Sequence, residues 1–167
     1  MIIGNGNIAH ALIDHEDFIF FASGVSDSSM KDGKEFKREK DLLLSQPTNR
    51  HLVYFSSLSI YHSTTMYANH KYAIEKLIAK TFPAYTIVRI GNIVWGNNQK
   101  TLISYLRNQI RNNLRYTVQN VYRFVTTKEE LTSAMKVVIN EKPKEINLHG
   151  SRLKVSQIVE MIKAGTL

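Results

Sequence analysis

The sequence predicts a doubly wound α/β fold with a mostly parallel sheet, and three observations carry that reading. Short branched or aromatic runs alternate with longer amphipathic segments along the whole chain. A glycine turn, GNGNIA at residues 4–9, joins the first run to the first helical segment. The run DFIFFAS at 17–23 is apolar at successive positions, which suits a strand covered on both faces.

The elements follow in order. Residues 1–3 end a short strand, and 8–13 begin a helix after the glycine turn. After the strand at 17–23, GKEFKREKDLLLSQ at 33–46 has one charged and one apolar face and must stop before Pro47, so it reads as a helix. HLVYFSS at 51–57 is the next strand, 67–82 is a long helix stopped near Pro83, and YTIVRIG at 85–91 is a strand. A helix at 100–114, a strand at 122–126, a helix at 128–140, a strand at 144–150 and a helix at 156–164 capped by Ser156 complete the alternation. Such alternation favours parallel strands joined by crossover helices.

Composition bounds the function. With 167 residues, 43% hydrophobic and 22% charged, one domain spanning 1–167 with its own core is expected. The chain has no cysteine, which excludes disulfides and thiolate metal sites and fits a reducing compartment, so a cytoplasmic location is expected. Met1 runs into Ile2 and Ile3 with no basic leader, and no apolar stretch reaches the length of a membrane span, so no membrane partner is expected. A net charge of +8 favours anionic partners. Nucleic acid is disfavoured among them: Arg107, Arg111 and Arg115 make a basic stripe at helical spacing, but no stacking aromatics or reading motif accompany it. The six histidines are scattered, with no metal-ligand spacing, so no metal site is expected.

The turn GNGNIA reproduces G-x-G-x-x-A. Gly4 permits a tight turn, Gly6 lets backbone N–H groups approach a pyrophosphate, and Ala9 allows close helix packing. The alternative is a loop that merely connects two elements. A dinucleotide site normally has a carboxylate at the tip of the next strand for the adenosine ribose. Here that strand ends in Ala22 and Ser23.

Tyr67 and Lys71 stand four apart, so on a helix both emerge from one face. A nearby ammonium stabilises a phenolate and so makes tyrosine a usable acid/base, and Ser57 at the preceding strand's end could position a substrate hydroxyl. Together they suit hydride transfer with a nicotinamide. Tyr72 and Lys76 repeat the spacing, but the first pair lies nearer the serines, while Ile74, Leu77 and Ile78 form the packing face. His70 falls off that face and reads as solvent-facing. The plain alternative is a core tyrosine beside a surface lysine.

With these motifs the chain resembles the extended short-chain dehydrogenase/reductase family of sugar-nucleotide epimerases, dehydratases and reductases, almost end to end. GNGNIA is similar to its cofactor turn, FIFFASGVSDS to its nicotinamide-side strand and loop, VYFSSLSIY to its catalytic-serine strand and YANHKYAIEKLI to its Y-x-x-x-K helix. VRIGNIVWG resembles the strand carrying a substrate-binding Asn, and YRFVTTKEEL a substrate-side strand with the usual arginine shifted by one. The resemblance implies a Rossmann-like domain with a reduced C-terminal substrate-binding part, and NAD or NADP as cofactor, NAD slightly preferred. It implies a nucleotide sugar as substrate. Tyr67 would be the acid/base, Lys71 its modifier and ribose contact, and Ser57 the hydroxyl-positioning group. Gly4, Asn5, Gly6, Asn7 and Ile8 would hold the pyrophosphate, Ser23 and Gly24 would line the nicotinamide side, and Asn92 and Arg123 would contact substrate. It also implies a homodimer paired through helices 34–46 and 67–82.

The departures define a rival. Two strands and a helix usual between the first helix and FIFFAS are absent, the stretch from Ser57 to Tyr67 is short, and the C-terminal part is trimmed. The shortened sheet thus lacks some adenosine-side strands, and a non-catalytic nucleotide-binding or protein-interaction relic of the same fold is the alternative to an enzyme.

Overall fold

The computed structural model describes residues 1–96, Asn98 and 101–167. Its elements are β1 (Ile2–Ile3), a 3-10 turn (Ala9–Ala11), β2 (Phe18–Phe21), α1 (Gly33–Leu44), β3 (His51–Ser57), a second 3-10 turn (Leu58–Tyr61), α2 (Met66–Thr81) and β4 (Tyr85–Ile90). These are followed by β5 (Asn92–Ile93), α3 (Leu102–Arg111), β6 (Tyr122–Thr126), α4 (Lys128–Glu141), β7 (Glu145–Leu148), β8 (Ser151–Lys154) and α5 (Val155–Lys163). β1, β2, β3, β4 and β7 form a parallel sheet in that order.

Every residue of β2 is buried, because helices cover both faces of the sheet. On one face Phe18, Phe20, Val53, Phe55, Val88 and Ile90 pack under Leu131, Met135 and Val138 of α4. On the other, Ile19, Phe21, Leu52 and Tyr54 pack under Leu43 of α1 and Ile74 and Ile78 of α2. Each such side chain contributes about 1.5–3 kcal/mol on leaving water, so the central strands are the most strongly held part. The register sets Ser56 beside Arg89 and Ser57 beside Ile90, at the carboxyl end of the sheet where open α/β sheets bind ligands.

Local chemistry fixes the helix ends. Thr65 accepts the Ala68 N–H and starts α2, which stops at Phe82, before Pro83. Thr127 and Glu130 exchange bonds in a capping box that starts α4.

Three sequence expectations change. The helix expected over 8–13 is only the 3-10 turn: Leu12 is extended and Ile13, 80% exposed, has no core to pack on. Of the helix expected over 100–114, Lys100 lies outside the described residues, and the end retreats to Arg111 where Asn113 takes φ +52°, so Arg115 leaves the basic stripe. Ser156 sits inside the first turn of α5 and is not its cap; the Gln157 side chain accepts the Lys154 N–H instead.

Strands β5 and β8, not foreseen as separate elements, join β6 in a smaller sheet with the order β5-β6-β8. β6 and β8 run antiparallel, with Phe124 opposite Arg152. Ile103, Leu106, Val125, Val155, Ile158 and Val159 bury this unit between α3 and α5.

The large sheet never reverses its order. A full dinucleotide-binding sheet has its first strand in the interior, flanked on both sides. Here the two-residue β1 is an edge, which is the structural form of the missing adenosine-side strands.

Candidate active site

A cleft of about 1060 Å³ opens at the carboxyl end of the large sheet. Its walls include Gly6, Asn7, Ile8 and Gly24 on one side, Ser57, Tyr67 and Lys71 behind, and Asn92 and Arg123 on the side of the smaller sheet. Nine of the twelve residues singled out from sequence therefore share one cavity. Gly4, Asn5 and Ser23 are not among its walls.

Each of those three has another structural position. Gly4, at φ +125°, lies so close to Ala22 that a Cβ would stand 2.5 Å from its carbonyl oxygen. Only glycine fits that crossing of the turn over β2. Asn5 Oδ1 is bonded to His10 Nε2 at 2.7 Å, and the Ser23 carbonyl accepts from Arg38 at 3.1 Å. Trp95 Nε1 donates to the Asn7 carbonyl at 2.9 Å, which ties the glycine turn to the loop after β5.

Helix α2 brings Tyr67 and Lys71 to the cleft, with Lys71 Nζ 5.8 Å from the centre of the Tyr67 ring. Tyr67 is 8% exposed. The competing pair is elsewhere: Tyr72 is 50% exposed, and Lys76 Nζ lies over its ring at 4.4 Å on the outer surface. Ser57 Oγ accepts the Ser59 N–H at 3.2 Å and so starts the 3-10 turn below the cleft.

The residue that sequence reasoning missed is Glu39. It sits fully buried in α1, within the charged run KREKD. Lys71 Nζ donates to its Oε1 at 3.0 Å and to the Tyr54 hydroxyl at 3.1 Å, and Tyr54 donates to the same Oε1 at 2.6 Å. The Val25 N–H donates to Oε2 at 2.7 Å, and His70 Nε2 lies 3.0 Å from that oxygen. His70, expected to face solvent, is instead largely covered and stacks on Phe36 at 4.4 Å.

Burial would raise the Glu39 carboxyl, but the Lys71 ammonium, aided by the His70, Tyr54 and Val25 contacts, outweighs it and lowers the pKa to about 2. Burial, and then the Glu39 charge, raise the Tyr54 phenol well above its ordinary value, so it stays a donor. Gly24 completes the cluster: a Cβ there would collide with both Lys71 Nζ and Glu39 Oε1.

A second buried network underlies the serine strand. Arg89 Nη2 donates to Glu75 Oε2 at 2.8 Å and Nη1 donates to the Tyr61 hydroxyl at 2.6 Å, while Ser56 Oγ donates to Glu75 Oε1 at 2.6 Å. It fastens β3, β4 and the 3-10 turn at Leu58–Tyr61 to α2, which fixes Ser57 relative to Tyr67.

Substrate-side residues are partly engaged. Asn92 Nδ2 donates to the Phe124 carbonyl at 3.1 Å, and Arg123 Nη2 donates to Gln119 Oε1 at 3.1 Å. Among the described residues there is no group of three metal-ligating side chains, and no helix is long and apolar enough to cross a membrane.

A nicotinamide dinucleotide fits this cleft unequally. Gly6, Gly24, Tyr67 and Lys71 form a wall with room for the ring and its ribose, whereas no carboxylate ends β2 and no strand flanks β1 on the adenosine side.

No protein-family model and no curated protein sequence matches the chain. Solved structures do. UDP-glucose 4-epimerase of Thermus thermophilus, in complex with NAD, is similar with a TM-score of 0.73 and 12% identity, over 90% of this chain and 62% of that one. The Bordetella bronchiseptica enzyme WbmH, in complex with NAD+, gives 0.72 and 14%, over 90% and 59%. dTDP-glucose 4,6-dehydratase of Bacillus anthracis, in complex with NAD, gives 0.66 and 16%, over 89% and 56%. The chain thus spans about three fifths of the length of these enzymes. It has the Rossmann-like fold of extended short-chain dehydrogenases/reductases, cropped on the adenosine side.

Proposed function

We propose that the chain is an NAD(P)-dependent oxidoreductase of the epimerase, dehydratase or reductase type acting on a nucleotide sugar. The observation that carries this reading is the meeting of Ser57, Tyr67 and Lys71 with Gly6 and Gly24 on one cleft. The solved structures with NAD bound support the choice of cofactor, and one Bordetella bronchiseptica enzyme, WbmG, was solved with both NAD and UDP. Absence of cysteine supports a cytoplasmic location.

In this reading the Tyr67 hydroxyl exchanges a proton with a sugar hydroxyl that Ser57 holds in place. Lys71 has three N–H donors; two go to Glu39 and Tyr54, which leaves one for a ribose hydroxyl. Gly6, Asn7 and Ile8 hold the pyrophosphate, Gly24 borders the pyridine ring, and Asn92 and Arg123 meet the nucleotide of the substrate. The bound cofactor supplies the hydride acceptor or donor.

The relic reading has its own support: the edge position of β1 and the pairing of Lys71 with a buried carboxylate. Titration of NADH into the protein, followed through Trp95 beside the glycine turn, tests cofactor binding directly. Quenching that saturates, with a change in nicotinamide absorbance on adding UDP- or dTDP-sugars, supports the enzyme. Saturable nucleotide-sugar binding with no absorbance change supports the relic.

A further inference from the structure

On the outer surface, away from the cleft, α1 and α2 enclose a groove of about 520 Å³. Phe36, Ala73, Ile74 and Leu77 form an apolar floor. Lys37 and Lys40 stand on the α1 rim, and Lys76 and Lys80 on the α2 rim. We propose that this groove docks an acidic amphipathic helix of a partner protein, whose apolar ridge fills the floor while carboxylates on both flanks meet the lysines.

Charge is what selects the occupant. The only carboxylate of α2, Glu75, is buried and bonded to Arg89. On α1 the exposed carboxylates Glu35 and Asp41 are already paired with Arg38 and Lys37. Among the described residues, Lys40 and Lys80 have no carboxylate partner. The rims therefore carry surplus positive charge around a surface that would gain from leaving water.

Other occupants match less well. A second copy, which the family resemblance implies, would bring the same patch onto itself and set lysine rims against lysine rims across the two-fold axis. A membrane surface takes up protruding apolar side chains, whereas Ile74 here is 2% exposed and lies below the lysines. A ridge entering a two-walled groove is the geometry of helix-in-groove recognition. This inference stands apart from the chemistry proposed for the cleft, since it uses the opposite side of α2.

The test uses a fluorescein-labelled synthetic helix with Leu along one face and Glu on both flanks, titrated against the full chain by anisotropy. Saturable binding is expected, weakened about tenfold or more in the double variant Lys40→Glu/Lys80→Glu and in Ala73→Glu, unchanged in Lys136→Glu on α4, and absent for the peptide with Gln in place of Glu. Circular dichroism of the exposed-site variants checks that they fold. No binding, or binding indifferent to the rim lysines, overturns the proposal. So does light scattering that shows a dimer which Ala73→Glu dissociates, and so does binding to phosphatidylserine vesicles without binding to the peptide.

Discussion

Lys71 and Glu39 form a buried ion pair, Nζ to Oε1 at 3.0 Å, with 2% and 0% of their side chains exposed. The pair joins α2 to α1 behind the cleft, and its hydrogen bonds reach Tyr54 on β3 and Val25 after β2. Lys71 is thereby fixed in position, and much of its charge is answered from behind rather than directed wholly at Tyr67.

Removal of one partner leaves the other charged and unpaired in the interior. Glu39→Ala is expected to lose about 3–5 kcal/mol in urea denaturation, whereas the double variant Glu39→Met/Lys71→Met recovers most of that loss. Equal loss in the single and double variants would show that packing, not charge, decides.

This residue also marks the limit of what was legible beforehand. The apolar rows of β2 and β3, the capping threonines and the Tyr67/Lys71 face followed from spacing alone, since periodicity and caps are local. Glu39 was read as part of a solvated face because its burial depends on where α1 meets Lys71, a contact 32 residues away. The signal was present in the helical spacing: Phe36 and Leu43 flank position 39 on the inward side of α1. The 3-10 turn at Ala9–Ala11 and the separate strands β5 and β8 were missed for a related reason. Elements of two to four residues carry too little pattern, and their state is set by the surfaces they meet.

The acid limb of stability follows from the same carboxylate. Its folded pKa, about 2, lies below the ordinary value of 4.5, so its contribution is full above pH 4.5 and is lost as pH falls toward 2. That difference corresponds to about 3 kcal/mol. Glu39→Gln is expected to flatten the stability profile between those limits when denaturation midpoints are measured across acid pH.

Gly24→Ala tests the close approach of the loop after β2. The added methyl meets Lys71 Nζ and Glu39 Oε1, so a loss of about 1–3 kcal/mol is expected, together with weaker NADH quenching of Trp95. Gly33→Ala, where a Cβ meets nothing within 4 Å, is expected to leave both unchanged.

The Arg89 network is expected to act on Ser57 through the turn below it. Tyr61→Phe removes the hydroxyl that accepts from Arg89, and a loss of about 1.5–3 kcal/mol is expected for a bond to a charged donor. The unfolding midpoint, read at constant urea dependence, checks it.

The central claim is that the Tyr67 hydroxyl exchanges a proton with substrate beside a bound nicotinamide. The most direct measurement is the nicotinamide absorbance change on mixing protein, NAD and UDP- or dTDP-sugars, compared among wild type, Tyr67→Phe and Tyr72→Phe. The account expects a change in wild type and Tyr72→Phe that falls at least about a hundredfold in rate in Tyr67→Phe, the contribution typical of a positioned acid/base. An unaltered rate in Tyr67→Phe would contradict it.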